Sequence, residues 1–93
     1  MTIKISEHHS FTYDGAAVMI YHANKGEGLP RHIHQYSHAT FCPAGSAVVR
    51  KDDKSAVMDK HTKPFNLPAG EWHEIEALED GTVFINVFSA DKI

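Results

Sequence analysis

Three histidines lie within seven residues of the segment 26–45, which reads GEGLPRHIHQYSHATFCPAG. His32 and His34 are two positions apart, the spacing that places side chains on one face of a β-strand. His38 follows across a short bend, and His73 lies far downstream, just after a Pro-Ala-Gly segment. Neutral imidazole is a good ligand for zinc, copper, iron and nickel. The pattern therefore predicts that these four histidines bind one metal ion inside a small β-barrel.

A simpler interpretation is that the histidines are separate core or surface residues, because a single buried histidine is usually satisfied by a hydrogen bond. The set of four favours metal binding, since a pair, a neighbour and a distant histidine together complete a coordination shell. Of the remaining histidines, we expect His8, His9 and His61 on the surface. His22 alternates with apolar residues of its strand and is expected to point into a core or toward a cavity.

The rest of the chain predicts an all-β fold. No segment has helical periodicity, and short β-branched and aromatic runs are separated by turn residues at close intervals, which is typical of a sandwich or barrel. The expected strands are residues 3–5, 11–13, 16–23, 32–34, 38–43, 46–51, 54–59, 65–67, 73–78 and 82–89.

Turn chemistry supports this assignment. Asp14-Gly15, Asp52-Asp53 and Asp80-Gly81 are expected to form two-residue hairpin turns. Residues 24–30 hold two glycines and a proline and are expected to form a loop. The strand 82–89 is apolar on both faces, so we expect the core to cover one face and a second subunit the other.

Length and composition narrow the class of protein. A chain of 93 residues is expected to form one domain, with a core small enough for a metal or a dimer partner to add useful stability. The net charge is −3 without a basic cluster, which argues against binding to nucleic acid or to an anionic membrane surface. No long apolar run or secretory signal is visible, and the single Cys42 excludes an internal disulfide. We expect a cytoplasmic protein.

The histidine spacing resembles the first motif of the cupin family of small β-barrels, G-x5-H-x-H-x3/4-E-x6-G. Every interval of that motif is matched, with histidine in place of the family's glutamate, by Gly26, His32, His34, His38 and Gly45. The second motif, G-x5-P-x-G-x2-H-x3-N, is matched at Pro68, Gly70 and His73. Here Thr62 replaces the first glycine and Ala77 replaces the asparagine.

This resemblance spans more than half of the chain and implies an antiparallel jelly-roll barrel of roughly six to eleven strands. It also implies a mononuclear metal site facing the barrel lumen, formed by His32, His34, His38 and His73. Small cupins commonly pair, so the resemblance implies a homodimer as well.

The histidine at position 38 changes the expected chemistry. Three histidines and a carboxylate would leave a divalent ion with a charge of about +1, whereas four neutral histidines leave about +2. Such a site is the stronger Lewis acid, should attract an anionic ligand, and favours iron, nickel, copper or zinc. Four ligands can leave coordination positions open on a six-coordinate ion or can close a structural zinc site. The cupin resemblance favours the open arrangement.

Tyr36 is the candidate catalytic residue beside the metal. It shares the parity of His34 and His38, so its hydroxyl can reach the cavity and move a proton, although it can equally be a packing tyrosine. Five further residues are candidates for the pocket, and all but Arg31 have a second interpretation. These are Cys42 (barrel lining or core), Met19 and Tyr21 (pocket wall or dimer core), Asn86 (hydrogen-bond partner or strand end) and Arg31 (attraction of an anion at the rim).

Two expectations concern the second motif. Trp72 should face away from the metal, under a loop or at an interface. Along the strand that starts at His73, alternation should place His73, Ile75 and Ala77 inward, and the acids Glu71, Glu74 and Glu76 are expected on the solvated surface.

These residues predict a metal-dependent enzyme that acts on a small anionic substrate. Oxidative cleavage with O₂ comes first, because histidine-rich cupins resemble iron-dependent dioxygenases. Lyase or isomerase chemistry with Tyr36 as base comes second. A non-catalytic cupin that binds a metal or small ligand, and a closed structural metal site, are the alternatives. The sequence contains no nucleophile elbow and no glycine-rich phosphate loop that opens a helix.

Overall fold

The computed structural model describes residues 2–5 and 7–92, and its strands form two five-stranded sheets. The strands are β1 (Ile3–Lys4), β2 (His8–Tyr13), β3 (Ala16–Ala23), β4 (Glu27–His32), β5 (His38–Ala44), β6 (Ser46–Arg50), β7 (Ser55–Asp59), β8 (Phe65–Leu67), β9 (His73–Ala77) and β10 (Thr82–Ser89). A single 3₁₀ turn, Ala90–Lys92, follows β10. The described residues contain no helix that is long and apolar enough to cross a membrane.

The first sheet has the order β1-β4-β9-β6-β7, and the second has the order β2-β3-β10-β5-β8. All pairings are antiparallel except that of β1 with β4, which is parallel. The all-β jelly-roll barrel expected from the sequence is therefore confirmed.

Two of the expected hairpins are present. Asp14 and Gly15 both have positive φ, 50° and 83°, which is the backbone of a two-residue turn whose twist matches the flanking strands β2 and β3. The β6–β7 hairpin turns at Asp52-Asp53, where the amide of Lys51 donates to the carbonyl of Lys54 at 2.8 Å.

The third expected hairpin is wrong. Asp80-Gly81 does form a turn, but β9 belongs to the first sheet and β10 to the second. The turn carries the chain across the barrel, and β10 inserts between β3 and β5 instead of pairing with β9. Turn residues specify only that the chain reverses direction. Which strand β10 pairs with is decided by where its own apolar face can be buried.

The expected loop at residues 24–30 is also wrong, because β4 begins at Glu27. Gly28 lies so close to β9 that a Cβ at this position would overlap the carbonyl oxygen of Ile75. The strand is interrupted by an irregularity between Leu29 and His32, where three steps on β4 oppose two on β9. Pro30, which has no amide proton to donate, is accommodated at this bulge.

The core lies between the sheets. Phe84, Ile75, Met58 and Leu67 are its large members, and each is at most 1% exposed. The ring of Phe84 stacks on Tyr21 with a centroid distance of 4.9 Å, which joins β10 to β3.

The two outer faces of the barrel differ in chemistry. On the first sheet, Arg50 donates to the carboxylates of Glu74 (3.0 Å) and Glu76 (2.8 Å), and the Thr2 hydroxyl donates to both of these acids. The expectation that Glu74 and Glu76 are fully solvated is therefore wrong, since both are half-buried in this cluster. Glu71 is exposed, as expected.

The second sheet presents an apolar outer face. Its members on β3, β5 and β10 are half-buried and flank buried residues, and they are Val18, Ile20, Phe41, Val83, Ile85 and Val87. Phe11, on the exposed edge strand β2, lies beside Val18. His22 lies on the same side of β3, is exposed and lines a separate surface pocket of about 240 Å³. Of its two expected placements, the core is wrong and the cavity agrees with the structure. His8, His9 and His61 are exposed, as expected.

Candidate metal centre

The bulge in β4 decides where His32 points. Without it, alternation would place Leu29 and His32 on opposite faces, because they are three residues apart. The extra residue puts both on the inner side, with Leu29 opposite Ile75 and His32 directly opposite His73. Two histidines distant in sequence thereby become cross-strand neighbours, with ring centroids 4.4 Å apart.

His34 comes from a connection and not from a strand, which corrects the expectation of a rigid strand at residues 32–34. β4 ends at His32, and residues 33–37 lead to β5. The Pro-Ala-Gly turn fixes this connection, because the amide of Gly70 donates to the carbonyl of His34 at 2.8 Å and the amide of Ala69 to the hydroxyl of Ser37 at 3.1 Å.

The structure brings three of the four predicted histidines into one group that could hold a metal ion, and the fourth, His38, lies beside them. One nitrogen each from His32, His34 and His73 lies within 4.8 Å of the other two, a separation that allows them to share one metal ion. His38, the first residue of β5, adjoins this triad, and its Nε2 lies 3.3 Å from Nε2 of His73. Its ring centroid is 5.1 Å from that of His34.

Hydrogen bonding orients the first of these rings. Nδ1 of His32 lies 2.6 Å from the carbonyl oxygen of Pro30, and because a carbonyl only accepts, this nitrogen carries the proton. The lone pair of His32 is therefore on Nε2. A backbone carbonyl on the second nitrogen is the usual way in which a protein fixes the tautomer of a metal-binding histidine.

The site keeps the imidazoles of His34, His38 and His73 neutral at pH 7. Burial lowers the pKa of His38 to about 4 and that of His73 to about 3, and the neighbouring imidazoles lower both further. Burial, with a smaller contribution from His32, also lowers the pKa of His34. Neutral imidazoles have free lone pairs, so the donor set fits a divalent transition metal.

A pocket of about 370 Å³ opens beside the cluster, and His32, His34 and His38 form part of its wall. This volume is at the lower end of the range for small-molecule sites. Apolar wall is supplied by Met19, Leu29 and Phe88, and polar groups by Tyr21, Tyr36 and Asn86. Lys4 and Arg31, both exposed, line it as well.

Tyr36 lies where the sequence placed it. Its ring centroid is 4.8 Å from that of His34 and 4.9 Å from that of Phe88, and it borders the pocket. A catalytic role and a packing role are both compatible with this position.

Of the other residues singled out in the sequence, some line the pocket and others belong to the core or the loops. Met19, Tyr21, Asn86 and Arg31 border the pocket, whereas Cys42 is a core residue at 1% exposure whose thiol lies 3.2 Å from the carbonyl of Ala44. Trp72 packs under the 51–54 loop, where its indole NH donates to Asp52, and the guanidinium of Arg31 lies 4.1 Å from the centre of its ring.

Sequence reasoning missed two parts of the site. Lys4 reaches the pocket because β1 pairs in parallel with β4, and a two-residue strand gives no signal of its partner. Phe88 was assigned only to an apolar strand, yet it packs on Tyr36 at the pocket wall.

Comparison with solved structures identifies the fold. The chain superposes on KdgF from Halomonas sp. with a TM-score of 0.78, at 17% identity over 88% of this chain and 77% of the other. It superposes on a cupin-2 domain protein from Shewanella frigidimarina with a TM-score of 0.74 (11% identity, 91% and 81% covered). A cupin superfamily protein from Desulfitobacterium hafniense gives 0.72 (15% identity, 96% and 83% covered).

No protein-family model matches the sequence, and no curated protein matches it either. The structures are similar although the sequences are only 11–17% identical, and this similarity shows that the protein has the cupin fold. The barrel, the order of the two motifs and the tight turn at Pro68-Ala69-Gly70 agree with that assignment.

Proposed function

We propose that the protein is a metal-dependent enzyme that binds one divalent transition metal ion and acts on a small anionic molecule. The observation that carries this proposal is the cluster of imidazole nitrogens within 4.8 Å of one another in the wall of a pocket. A purely structural metal site has no need of an adjoining pocket with cationic side chains.

The metal would be held by His32, His34 and His73, with His38 as the fourth ligand. When bound there, a divalent ion supplies Lewis acidity to a ligand in the pocket. The candidate ions are iron, nickel, zinc and copper, all of which accept imidazole ligands.

The protein's own groups would bind and orient the substrate. Lys4 and Arg31 attract an anion, and the stacking of Arg31 on Trp72 restrains its guanidinium. Met19, Leu29 and Phe88 exclude water from the walls. The Tyr36 hydroxyl, on a ring next to His34, is the group placed to hold or move a proton. Among reaction classes, oxidative cleavage with O₂ remains first, and lyase or isomerase chemistry second.

A non-catalytic ligand-binding module is the second candidate, and one observation favours it. Among the described residues, no carboxylate lines the pocket, so a substrate there would meet no Asp or Glu that could act as general base. A binding module needs no general base.

Turnover with a defined metal separates these two candidates. The protein is prepared without a tag under anaerobic conditions, loaded with iron, nickel, zinc or copper, and assayed with a panel of small acids for O₂ uptake and for product. Metal-dependent turnover that falls at least about tenfold in Tyr36→Phe supports the enzyme. Saturable binding of an acid without turnover by any metal form supports the module instead.

We also propose that the protein forms a homodimer through the apolar outer face of the second sheet. Four strands of this sheet have six to eight residues, and at about 3.3 Å per residue and about 4.8 Å between strands they present roughly 450 Å² per copy. Two copies would bury about 900 Å², the size of a weak interface. The face carries no formal charge, so a second copy meets it without repulsion.

A further inference from the structure

Asn86 lies on the inward side of β10 between two aromatic residues. Phe84, two residues earlier, is fully buried, and Phe88, two residues later, packs on Tyr36. Asn86 is only 4% exposed, and it borders the pocket beside the histidines. A buried carboxamide destabilises a protein unless its polar atoms are hydrogen-bonded.

The carboxamide oxygen of Asn86 has no hydrogen-bond partner within residues 2–5 and 7–92. Two other buried side-chain atoms share this condition, namely Oγ1 of Thr40, directly across from Asn86 on β5, and Nδ1 of His38, on the same face of β5. Native proteins leave few buried polar atoms unpaired. Asn86 and His38 both line the pocket, whereas Thr40 lies behind them and is fully buried. The two unpaired atoms at the pocket wall indicate that a bound molecule completes their hydrogen bonds.

The charges of the pocket indicate which charged group the bound molecule carries. Lys4 and Arg31 supply positive charge, and in the part of the chain that the structure describes no carboxylate lines the pocket to oppose it. A carboxylate group on the ligand fits the cations. An ammonium group would be repelled by them. The group of the ligand that donates a hydrogen bond to the carboxamide oxygen of Asn86 must therefore be uncharged.

We propose that Asn86 is a specificity-determining residue that hydrogen-bonds a hydroxyl group of a small hydroxy-carboxylate ligand. This inference rests on the metal and anion site proposed above and names its ligand class. A hydroxyl both donates and accepts, so it complements the carboxamide in either orientation. A hydrocarbon chain of the same length leaves the carboxamide unpaired and binds less well.

The first test is a thermodynamic cycle between ligand and protein. The probes are the straight-chain acids of three to six carbons, each with and without a terminal hydroxyl, titrated into zinc-loaded wild-type protein and Asn86→Leu and followed by NMR. At each chain length, the affinity of the hydroxylated acid is divided by that of the plain acid, and this ratio is compared between wild type and Asn86→Leu. Any direct effect of the hydroxyl on the metal is the same in both proteins and cancels in the comparison. At one chain length at least, the hydroxyl advantage should be about tenfold greater in the wild type.

The second test asks whether Asn86 is structural. Asn86→Leu removes an unpaired polar group, so the ligand-free variant should melt at the same temperature as the wild type or higher. Thr82→Val is the matched control, since Thr82 is a buried inward residue of the same strand whose hydroxyl donates to the carbonyl of Glu79 at 2.8 Å. It should melt several degrees lower and keep the wild-type affinity ratio.

Three outcomes would overturn the inference. These are an equal hydroxyl advantage in wild type and Asn86→Leu at every chain length, binding of none of these acids to zinc-loaded wild type, and strong destabilisation by Asn86→Leu. In all three the protein still binds zinc, so the proposed metal site survives. Failure of the wild type to bind zinc would instead reject the proposed function, and the inference with it.

Discussion

At the scale of single residues, the site depends on imidazoles that remain neutral. His38 is 3% exposed and His73 is 1% exposed, and each lies among other histidine rings. Burial lowers the pKa of His38 to about 4 and that of His73 to about 3, from an ordinary value of 6.5. When the pKa of a group is lower in the folded state, the unfolded state takes up the proton at a higher pH than the folded state does.

The metal-free protein should therefore lose stability as the pH falls from about 6.5. The unfolded chain binds protons in that range while His38 and His73 do not, so the contribution present above pH 6.5 declines toward pH 4. Over the whole window the loss is on the order of a few kcal/mol. Urea denaturation with a chelator at pH 7 and pH 5 measures it.

The comparison at pH 7 and pH 5 avoids a second contribution. Hydrogen bonds from Arg50 lower the pKa of Glu76, so this carboxylate adds stability that is lost only below its ordinary value of 4.5. The variant His38→Gln/His73→Gln should have a flatter pH dependence. A wild-type stability that is unchanged between pH 7 and pH 5 would contradict the neutral cluster.

At the scale of elements, the close approach of β4 to β9 positions the histidine pair. Gly28→Ala should destabilise the protein by at least about 3 kcal/mol, because the new Cβ meets backbone that cannot move aside. Gly81→Asn is the control, since nothing lies within 4 Å of its Cβ position and asparagine tolerates the φ of +74°. Denaturation midpoints compare the two, and equal stability losses would contradict this account of β4.

The elements also show which parts of the fold the sequence could predict. Asp14-Gly15 and the alternation of β9 are local signals, and both predicted their structures correctly. The β4 strand was missed because two glycines and Pro30 resemble a loop, whereas here they allow close packing and a bulge. The bulge in turn invalidates simple parity, so alternation along the chain could not predict that His32 lies directly opposite His73.

Distant pairings explain the remaining errors. The turn at Asp80-Gly81 gives no local sign that it crosses between sheets, and the acids of β9 give no sign that Arg50 and Thr2 lie beside them. The four histidines were recognised from their spacing, but the charges around the pocket depend on β1, whose partner only the assembled sheet reveals.

At the scale of the whole molecule, we expect the apolar outer face of the second sheet to bind a second copy of the chain. The wild type, whose chain mass is 10.4 kDa, should elute and scatter as a dimer. Ile85→Lys, in the centre of the face, should give a monomer because it buries a charge at the interface. Val57→Lys is the control, since Val57 is 52% exposed on the first sheet, and it should remain dimeric. A monomeric wild type, measured by light scattering, would contradict the interface.

The metal content of the purified protein tests the central claim most directly. Untagged wild type, His34→Ala and His61→Ala are purified in parallel, dialysed against metal-free buffer and measured by elemental analysis. The account predicts about one transition metal ion per chain in the wild type and in His61→Ala, whose histidine is exposed and outside the cluster, and a large loss in His34→Ala. A wild type without metal, or equal loss from the two variants, would contradict it.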